Sequence, residues 1–295
     1  MKDDQRATGD ERATTGSDGN QRRGSEMSEA KGAALVTGAS GAIGEELARL
    51  LAAAGHDLVL VARDRARLDA VARELEGAHG IRAHVVPADL TDPDAPGAIY
   101  GAVEDLGVQV EVLVNNAGFG LYGAFAEVPG EAATELFREM EMIQVNVAAL
   151  THLTKLFLPP MVARGRGRMM NVASTAAFQA GPLMAVYYAT KAYVLSFSTA
   201  VGVELEGTGV TVTALCPGPT ETRFAAEARM EGSRLFSGGG IMGAAEVARA
   251  GFDGMMAGRA LVIPGARNRV MAQATRLVPR TFAARLARQA QRKAH

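Results

Sequence analysis

Residues 33–44 read Ala33-Ala34-Leu35-Val36-Thr37-Gly38-Ala39-Ser40-Gly41-Ala42-Ile43-Gly44. This stretch runs from a short apolar strand, through a glycine-rich turn, into the start of a helix. Glycines let a backbone approach a pyrophosphate closely, and the helix offers free N–H groups and the positive end of its dipole to the anion. A tight connection alone would also use glycines, but the position after the first strand favours a nucleotide-binding turn.

The same strand-then-helix pattern continues along the chain. The predicted strands are residues 33–37, 57–62, 81–87, 111–114, 168–173, 210–216 and 260–263. The predicted helices are residues 42–54, 64–78, 92–106, 131–162 and 185–206. Strands that are nearly all apolar and are separated by helices form a parallel sheet covered on both faces. We therefore predict a single-domain α/β fold, a doubly wound Rossmann sheet of seven parallel strands.

Composition narrows the classes of function. The chain has 295 residues, of which 48% are hydrophobic and 21% charged, with a net charge of -1, so we expect no nucleic-acid partner. The single cysteine, Cys216, excludes an internal disulfide, and the five histidines lack the spacing of metal ligands, so we predict no metal. No apolar run is long enough to cross a membrane. These features are typical of a cytoplasmic protein.

The first thirty residues differ from the alternating middle of the chain. Residues 1–30 contain no branched aliphatic or aromatic residue, and we predict a disordered tail without a secretory leader. Translation starting at Met27 is a hypothesis that mass spectrometry of the native protein would test. We expect the Rossmann-fold catalytic domain to cover residues 31–264.

The segment 265–295 forms a third, basic part of the chain. It contains no acid, and its basic residues are Arg267, Arg269, Arg276, Arg280, Arg285, Arg288, Arg292 and Lys293. Its apolar residues recur at helical spacing, which predicts a basic amphipathic helical extension. Such helices can lie on an anionic membrane surface or dock on the core or on a second subunit, and we favour docking.

A second group of polar residues lies within residues 171–191. Ser174 comes where a predicted strand ends, while Tyr187 and Lys191 are four residues apart and so share one face of a helix. A nearby ammonium group lowers the pKa of a tyrosine, which would let Tyr187 act as a general acid or base beside a carbonyl held by Ser174. Tyr188 also lies within one turn of Lys191, and geometry alone does not exclude it.

The end of the second predicted strand indicates which cofactor is bound. Arg63 follows the strand directly, and an arginine there pairs with the 2′-phosphate of NADP. Asp64 is better explained as the N-cap of the next helix. The sequence therefore favours NADP(H), with NAD(H) as the open alternative.

Further signals follow in order along the chain. They are Asp89 after the third strand, Asn115-Asn116-Ala117-Gly118 after the fourth, Asn146 in the long helix, Ser174 with Tyr187-x-x-x-Lys191, and Pro217-Gly218 followed by Thr220 and Thr222. With these motifs, residues 31–264 resemble the single-domain type of the short-chain dehydrogenase/reductase superfamily. The resemblance implies reversible hydride transfer between a nicotinamide and a carbonyl or secondary alcohol.

The resemblance also implies roles for individual residues. The catalytic set would be Asn146, Ser174, Tyr187 and Lys191, with Asn146 holding a water that resupplies the proton. The cofactor would contact Gly38, Ser40, Gly41, Ala42, Ile43, Gly44, Arg63, Asp89, Leu90, Asn116, Ala117, Gly118, Tyr187, Lys191, Pro217, Gly218, Thr220 and Thr222.

One departure from the family pattern keeps alternatives open. Single-domain members usually read Thr-Gly-x-x-x-Gly-x-Gly, but here Ala42 stands at the sixth position and Gly41 precedes it. That spacing is more like the extended members, many of which are sugar-nucleotide epimerases and dehydratases. A sensor that binds NADP without turnover is the other alternative.

Substrate preference depends on loops. Residues 223–243 resemble the family's substrate lid, and several apolar residues lie in the other loops at the carboxyl ends of the strands. These are Phe119, Leu121, Tyr122, Phe178, Leu183 and Met184. We expect an apolar ketone, aldehyde or alcohol as substrate and a homo-oligomer, a dimer or a tetramer.

Overall fold

Seven parallel strands form the central sheet of the computed structural model, which describes residues 31–126, 132–222, 224–228, 230, 233 and 241–291. The strands are β1 Ala33–Thr37, β2 Leu58–Ala62, β3 Ala83–Pro87, β4 Val110–Asn115, β5 Gly167–Val172, β6 Val210–Leu215 and β9 Leu261–Val262. Their order is β3-β2-β1-β4-β5-β6-β9, and β7 Thr220–Glu221 pairs separately with β8 Met242–Gly243. The predicted Rossmann sheet is confirmed.

Helices connect these strands. They are α1 Ala42–Ala53, α2 Arg65–His79, α3 Ala95–Asp105, α4 Ala132–Ile143, α5 Leu150–Ala163, α6 Ala185–Glu204, α7 Phe224–Glu227, α8 Ala244–Met256, α9 Ala266–Ala274 and α10 Arg280–Gln291. A π-helical segment, Gln144–Ala149, joins α4 to α5, and single 3-10 turns lie at Thr175–Phe178 and Thr275–Leu277.

The sheet is covered on both faces because its strands are apolar on both. Successive side chains of a strand point to opposite faces. In β1, Val36 accordingly packs in a cluster with Leu47 of α1, whereas Leu35 packs in a second cluster with Phe157 of α5. Both strand residues are fully buried, and each such side chain contributes about 2 kcal/mol relative to an exposed one.

The helices differ from the sequence prediction in several features, one of which is that α7 was not predicted. The predicted helix at residues 131–162 is interrupted by the π-helical segment, and α8 was not predicted. Pro159 and Pro160 lie inside α5, which continues to Ala163, so they do not end that helix. A proline removes one N–H donor but keeps a helical φ, and the Pro160 carbonyl still accepts from the Arg164 N–H at 3.3 Å.

Some predictions fall outside the described ranges. The disordered tail at residues 1–30 and the start at Met27 lie there, as does most of the predicted lid at 223–243. Within the ranges that are described, we find no helix with the length and hydropathy needed to span a membrane.

Candidate active site

The turn after β1 brings three parts of the chain into close contact. Gly38 has a φ of +65°, a left-handed conformation that favours glycine. A Cβ on Gly44 would lie 2.3 Å from the Gly38 carbonyl oxygen and 2.5 Å from Asn116 Nδ2. Helix α1 begins beside this turn with Gly41 as its N-cap, and no side chain caps it. The uncapped N-terminus and the bare glycines suit an anion such as a pyrophosphate.

Hydrogen bonds join this turn to the segment that follows β4. The Thr37 hydroxyl accepts from the N–H groups of Asn116 at 3.0 Å and Ala117 at 3.1 Å. Asn116 Nδ2 in turn donates to the carbonyl oxygens of Thr37 at 2.9 Å and Gly38 at 3.2 Å. The two turns predicted to hold the cofactor are therefore one connected structure.

Ser174, Tyr187 and Lys191 meet at the carboxyl end of β5. Ser174 follows the strand, where its hydroxyl donates to the Pro217 carbonyl at 3.4 Å and lies close enough to Tyr187 of α6 to influence the pKa of that hydroxyl. Lys191 Nζ lies 5.8 Å from the centroid of the Tyr187 ring and donates to the Val172 carbonyl at 2.8 Å. The structure thus brings together the three residues that the sequence pattern singled out.

The electrostatics of this group differ from the expectation that Lys191 lowers the pKa of Tyr187. Burial raises the pKa of Tyr187 above its usual value, and the nearby Ser174 hydroxyl offsets only part of this. Burial also lowers the pKa of Lys191 to about 8. Both side chains are at least nine-tenths buried, and low polarity disfavours the charged form of each. Tyr187 is therefore a protonated acid at neutral pH.

Asn146 lies in the π-helical segment and connects two other elements. Its Nδ2 donates to the Phe119 carbonyl at 2.9 Å and to the Thr190 hydroxyl at 3.1 Å, while its Oδ1 accepts from the Phe119 N–H at 3.1 Å. A Cβ on Gly118 would lie 2.9 Å from Asn146 Oδ1 and 3.3 Å from Lys191 Nζ. Asn146 thus fixes the loop after β4 against the helix that carries Lys191.

Tyr188 has different surroundings from Tyr187. Its hydroxyl accepts a hydrogen bond from Nε2 of Gln291, at the end of α10, and its ring packs over Gly181. Nothing in the sequence pattern singled out Gln291, apart from its place in an amphipathic segment. The second tyrosine therefore faces the C-terminal helix.

A continuous cleft of about 1160 Å³ runs along the carboxyl ends of the strands. Every residue predicted to bind the cofactor lines it, as does Ser174, whereas Asn146 is buried behind the surface. Of the residues predicted to contact substrate, Phe119 and Met184 line the cleft, and Leu121, Tyr122, Phe178 and Leu183 do not. Residues of α9 and α10 also line it.

The end of β2 presents two arginines to this cleft. Arg63 is exposed and makes no ion pair within the described residues, while Arg67 lies 3.6 Å from Glu45. Asp64 caps α2, because its side chain accepts from the Arg67 N–H at 3.1 Å, as predicted. Arg63 is thus available to a phosphate in the cleft.

The fold and the cleft define a nucleotide-binding oxidoreductase of the Rossmann type. Residues 32–232 match the family model for short chain dehydrogenases, and the chain belongs to that family. It is an oxidoreductase that uses a nicotinamide cofactor.

Individual relatives agree with this assignment. The chain is 32% identical over 202 residues to the ketoacyl reductase HetN of Nostoc sp., covering 68% of each chain. Among solved structures, it is similar to a short-chain dehydrogenase from Sphingobium yanoikuyae in complex with NADPH, with 32% identity, coverage of 83% of this chain and 94% of the other, and a TM-score of 0.72. It is also similar to a 7beta-hydroxysteroid dehydrogenase, with 26% identity, coverage of 88% and 98%, and a TM-score of 0.77. These relatives do not favour an epimerase, a dehydratase or a sensor.

Proposed function

We propose that this protein reduces the carbonyl group of an apolar ketone or aldehyde with NADPH and catalyses the reverse oxidation of the alcohol. The observation that carries the proposal is the contact between Ser174, Tyr187 and Lys191 at the floor of the dinucleotide cleft. A buried tyrosine that stays protonated is a suitable acid for a carbonyl oxygen that gains negative charge.

In the reduction, Ser174 donates a hydrogen bond that orients the carbonyl, and Tyr187 gives its proton to the oxygen. The bound nicotinamide supplies the hydride. Lys191, beside the Tyr187 ring, stabilises the phenolate that remains. Asn146 donates to Thr190, the neighbour of Lys191, and is itself held by Phe119, so it positions the helix turn that carries Lys191. The water relay implied by the family resemblance stays a prediction.

The cofactor would lie along the glycine-rich turn. Gly38 and Gly44 leave the space that its pyrophosphate needs, and α1 points its N-terminus at the same place. Asp89 would face the adenine, and Thr222 would hold the carboxamide. NADP is favoured because Arg63 is exposed in the cleft without an acidic partner in the described chain.

The proposed substrate class draws on two observations. Apolar side chains, among them Phe119, Met184 and Phe224, line the part of the cleft near Tyr187. The relatives named above are a ketoacyl reductase and a hydroxysteroid dehydrogenase, which are named for carbonyl or hydroxyl groups on large carbon skeletons. We also propose that the catalytic domain covers residues 31–264 and that the protein is a homo-oligomer in the cytoplasm.

The test is the loss of NADPH absorbance with a panel of ketones, aldehydes and alcohols. We expect consumption of NADPH with apolar ketones and formation of NADPH from NADP and the corresponding alcohols. Conversion of a sugar nucleotide without net consumption of cofactor would instead indicate an epimerase or dehydratase. Tight NADPH binding with no turnover across the panel would indicate a sensor.

A further inference from the structure

The basic extension at the end of the chain reaches the cleft. Helix α9, the 3-10 turn after it and helix α10 all contribute residues to its surface. Among the apolar ones are Met271, Val278, Ala283, Leu286, Ala287 and Ala290. This segment therefore docks on the core beside the site, which is one of the outcomes that its amphipathic pattern allowed.

One face of α10 makes the contact. Ala283 and Ala287 are four residues apart and are 4% and 5% exposed. Leu286 and Ala290, also four apart, line the cleft but remain exposed, Leu286 by 50%, so they lie at its rim. The buried positions are small, which leaves the cleft wide along this wall.

The end of α10 is anchored next to the catalytic tyrosine. Gln291 is fully buried, and its Nε2 donates to the Tyr188 hydroxyl. The Gln291 carbonyl accepts from the Ser233 hydroxyl at 3.2 Å. The rings of Tyr188 and Tyr187 lie 6.1 Å apart, edge to face. The wall is thus held at a fixed distance from the reacting group.

The chemistry of the wall indicates what it would contact. The residues of α10 that line the cleft are all aliphatic, and segment 265–295 contains no aspartate or glutamate. An aliphatic surface stabilises an apolar group by removing it from water and offers no hydrogen bond to a polar one. The polar cleft-lining residues Arg267 and Asn268 lie in α9, not in α10.

We propose that residues 266–291 form the outer wall of the substrate pocket and select carbonyl compounds that carry a long or bulky apolar substituent. That substituent lies against Leu286, Ala287 and Ala290. The inference rests on the proposed carbonyl reduction. It assigns the substrate class from residues 266–291, which lie outside residues 32–232, the region that matches the family model.

Two matched pairs of variants test the wall. Ala290→Phe fills the rim of the cleft, whereas Gln289→Phe places the same ring on the exposed neighbour that does not line it. Leu286→Ala removes a contact from the wall. Its control is Phe282→Ala, which truncates a residue outside the cleft; Leu286 is 50% exposed and Phe282 49% exposed. All four positions tolerate substitution because they are on the surface.

The readout is kcat/KM for butanone and for decanone with NADPH. We expect Ala290→Phe and Leu286→Ala to lower the value for decanone about tenfold and to change that for butanone less than about twofold. The two control variants should alter neither. Equal effects on both ketones, or none in the cleft-facing variants, would overturn the inference.

A binding measurement separates this inference from the proposed reaction. If wild-type protein turns over neither these two ketones nor any other member of the panel, the proposed function fails. Calorimetric binding of decanol to NADP-saturated protein then tests the wall alone. Weaker binding by Ala290→Phe but not by Gln289→Phe supports the wall, and equal binding by both rejects it.

Discussion

Tyr187 and Tyr188 are adjacent in sequence, yet only one of them is placed for proton transfer. Tyr187 contacts Ser174 and Lys191, while the hydroxyl of Tyr188 is engaged by Gln291. We expect Tyr187→Phe to lower kcat about a thousandfold, within the usual range for loss of a general acid. Tyr188→Phe should keep kcat within about tenfold. Steady-state kinetics on the best ketone makes the comparison. Turnover retained in Tyr187→Phe would show that another group is the general acid.

Lys191 makes stability depend on pH. Burial lowers its pKa from 10.5 to about 8, so between these values the unfolded chain binds more protons than the folded one. Stability therefore rises with pH across this window, and the full cost of burying the charge is present below about pH 8. We expect Lys191→Met to be more stable than wild type at neutral pH by on the order of 2 kcal/mol, once the lost bond to Val172 is counted.

The difference between Lys191→Met and wild type should shrink as the pH rises from about 8 towards 10.5. Urea unfolding of both proteins across this range measures it. Comparing the two proteins removes the contribution of every other titrating group. A difference that is constant with pH would show that the Lys191 ammonium carries no burial cost.

The elements of the sheet were predictable because each strand is an apolar run. The π-helical segment was not, because it is a single short turn between two α-helices and has no hydrophobic period of its own. Helix α8 was missed for a different reason. Its buried face includes Gly251 and Gly254, where a Cβ would lie 2.8 Å from Leu215 Cδ2 and 2.2 Å from Val262 Cγ2. Glycines weaken the helical signal although close packing on the sheet requires them.

The turn between β1 and α1 has little room for any side chain. A Cβ on Gly44 would lie within 2.3 Å of a backbone carbonyl that cannot easily move. We expect Gly44→Ala to cost about 2 kcal/mol in urea unfolding and to weaken NADPH binding at least about tenfold. As a control, Gly101→Ala in α3 adds a methyl group to open space and should stabilise by about 0.5–1 kcal/mol. Normal NADPH affinity in Gly44→Ala would contradict the placement of the pyrophosphate.

The cleft lies where strands β3-β2-β1 meet strands β4-β5-β6-β9 in the sheet. Strand β1 lies between β2 and β4, so the chain order reverses there, and ligands of such sheets bind at this point. This much could be predicted from the sequence, because the glycine-rich turn and the Ser174, Tyr187 and Lys191 pattern each follow a strand. The wall from α9 and α10 could not, because an amphipathic pattern predicts a buried face but does not say what it is buried against.

Cofactor binding should stabilise the whole fold. A ligand that contacts the turns after β1, β4 and β6 binds only the folded chain, so NADPH at a hundred times its Kd should stabilise by about 2.7 kcal/mol. For a protein of this size that is a rise in Tm of roughly 5 °C or more. NADH at the same concentration should give a smaller rise, and Arg63→Asp should remove the advantage of NADPH. Equal shifts with both cofactors in wild type would contradict NADP preference.

The position of α10 also has a consequence for the order of events during synthesis. Residues 280–291 leave the ribosome after β1–β6, and after Ser174, Tyr187 and Lys191. A growing chain can therefore assemble the sheet and the dinucleotide turn while α10 is still unmade. We expect a nascent chain to gain affinity for NADPH first and discrimination among ketones only when α10 is released.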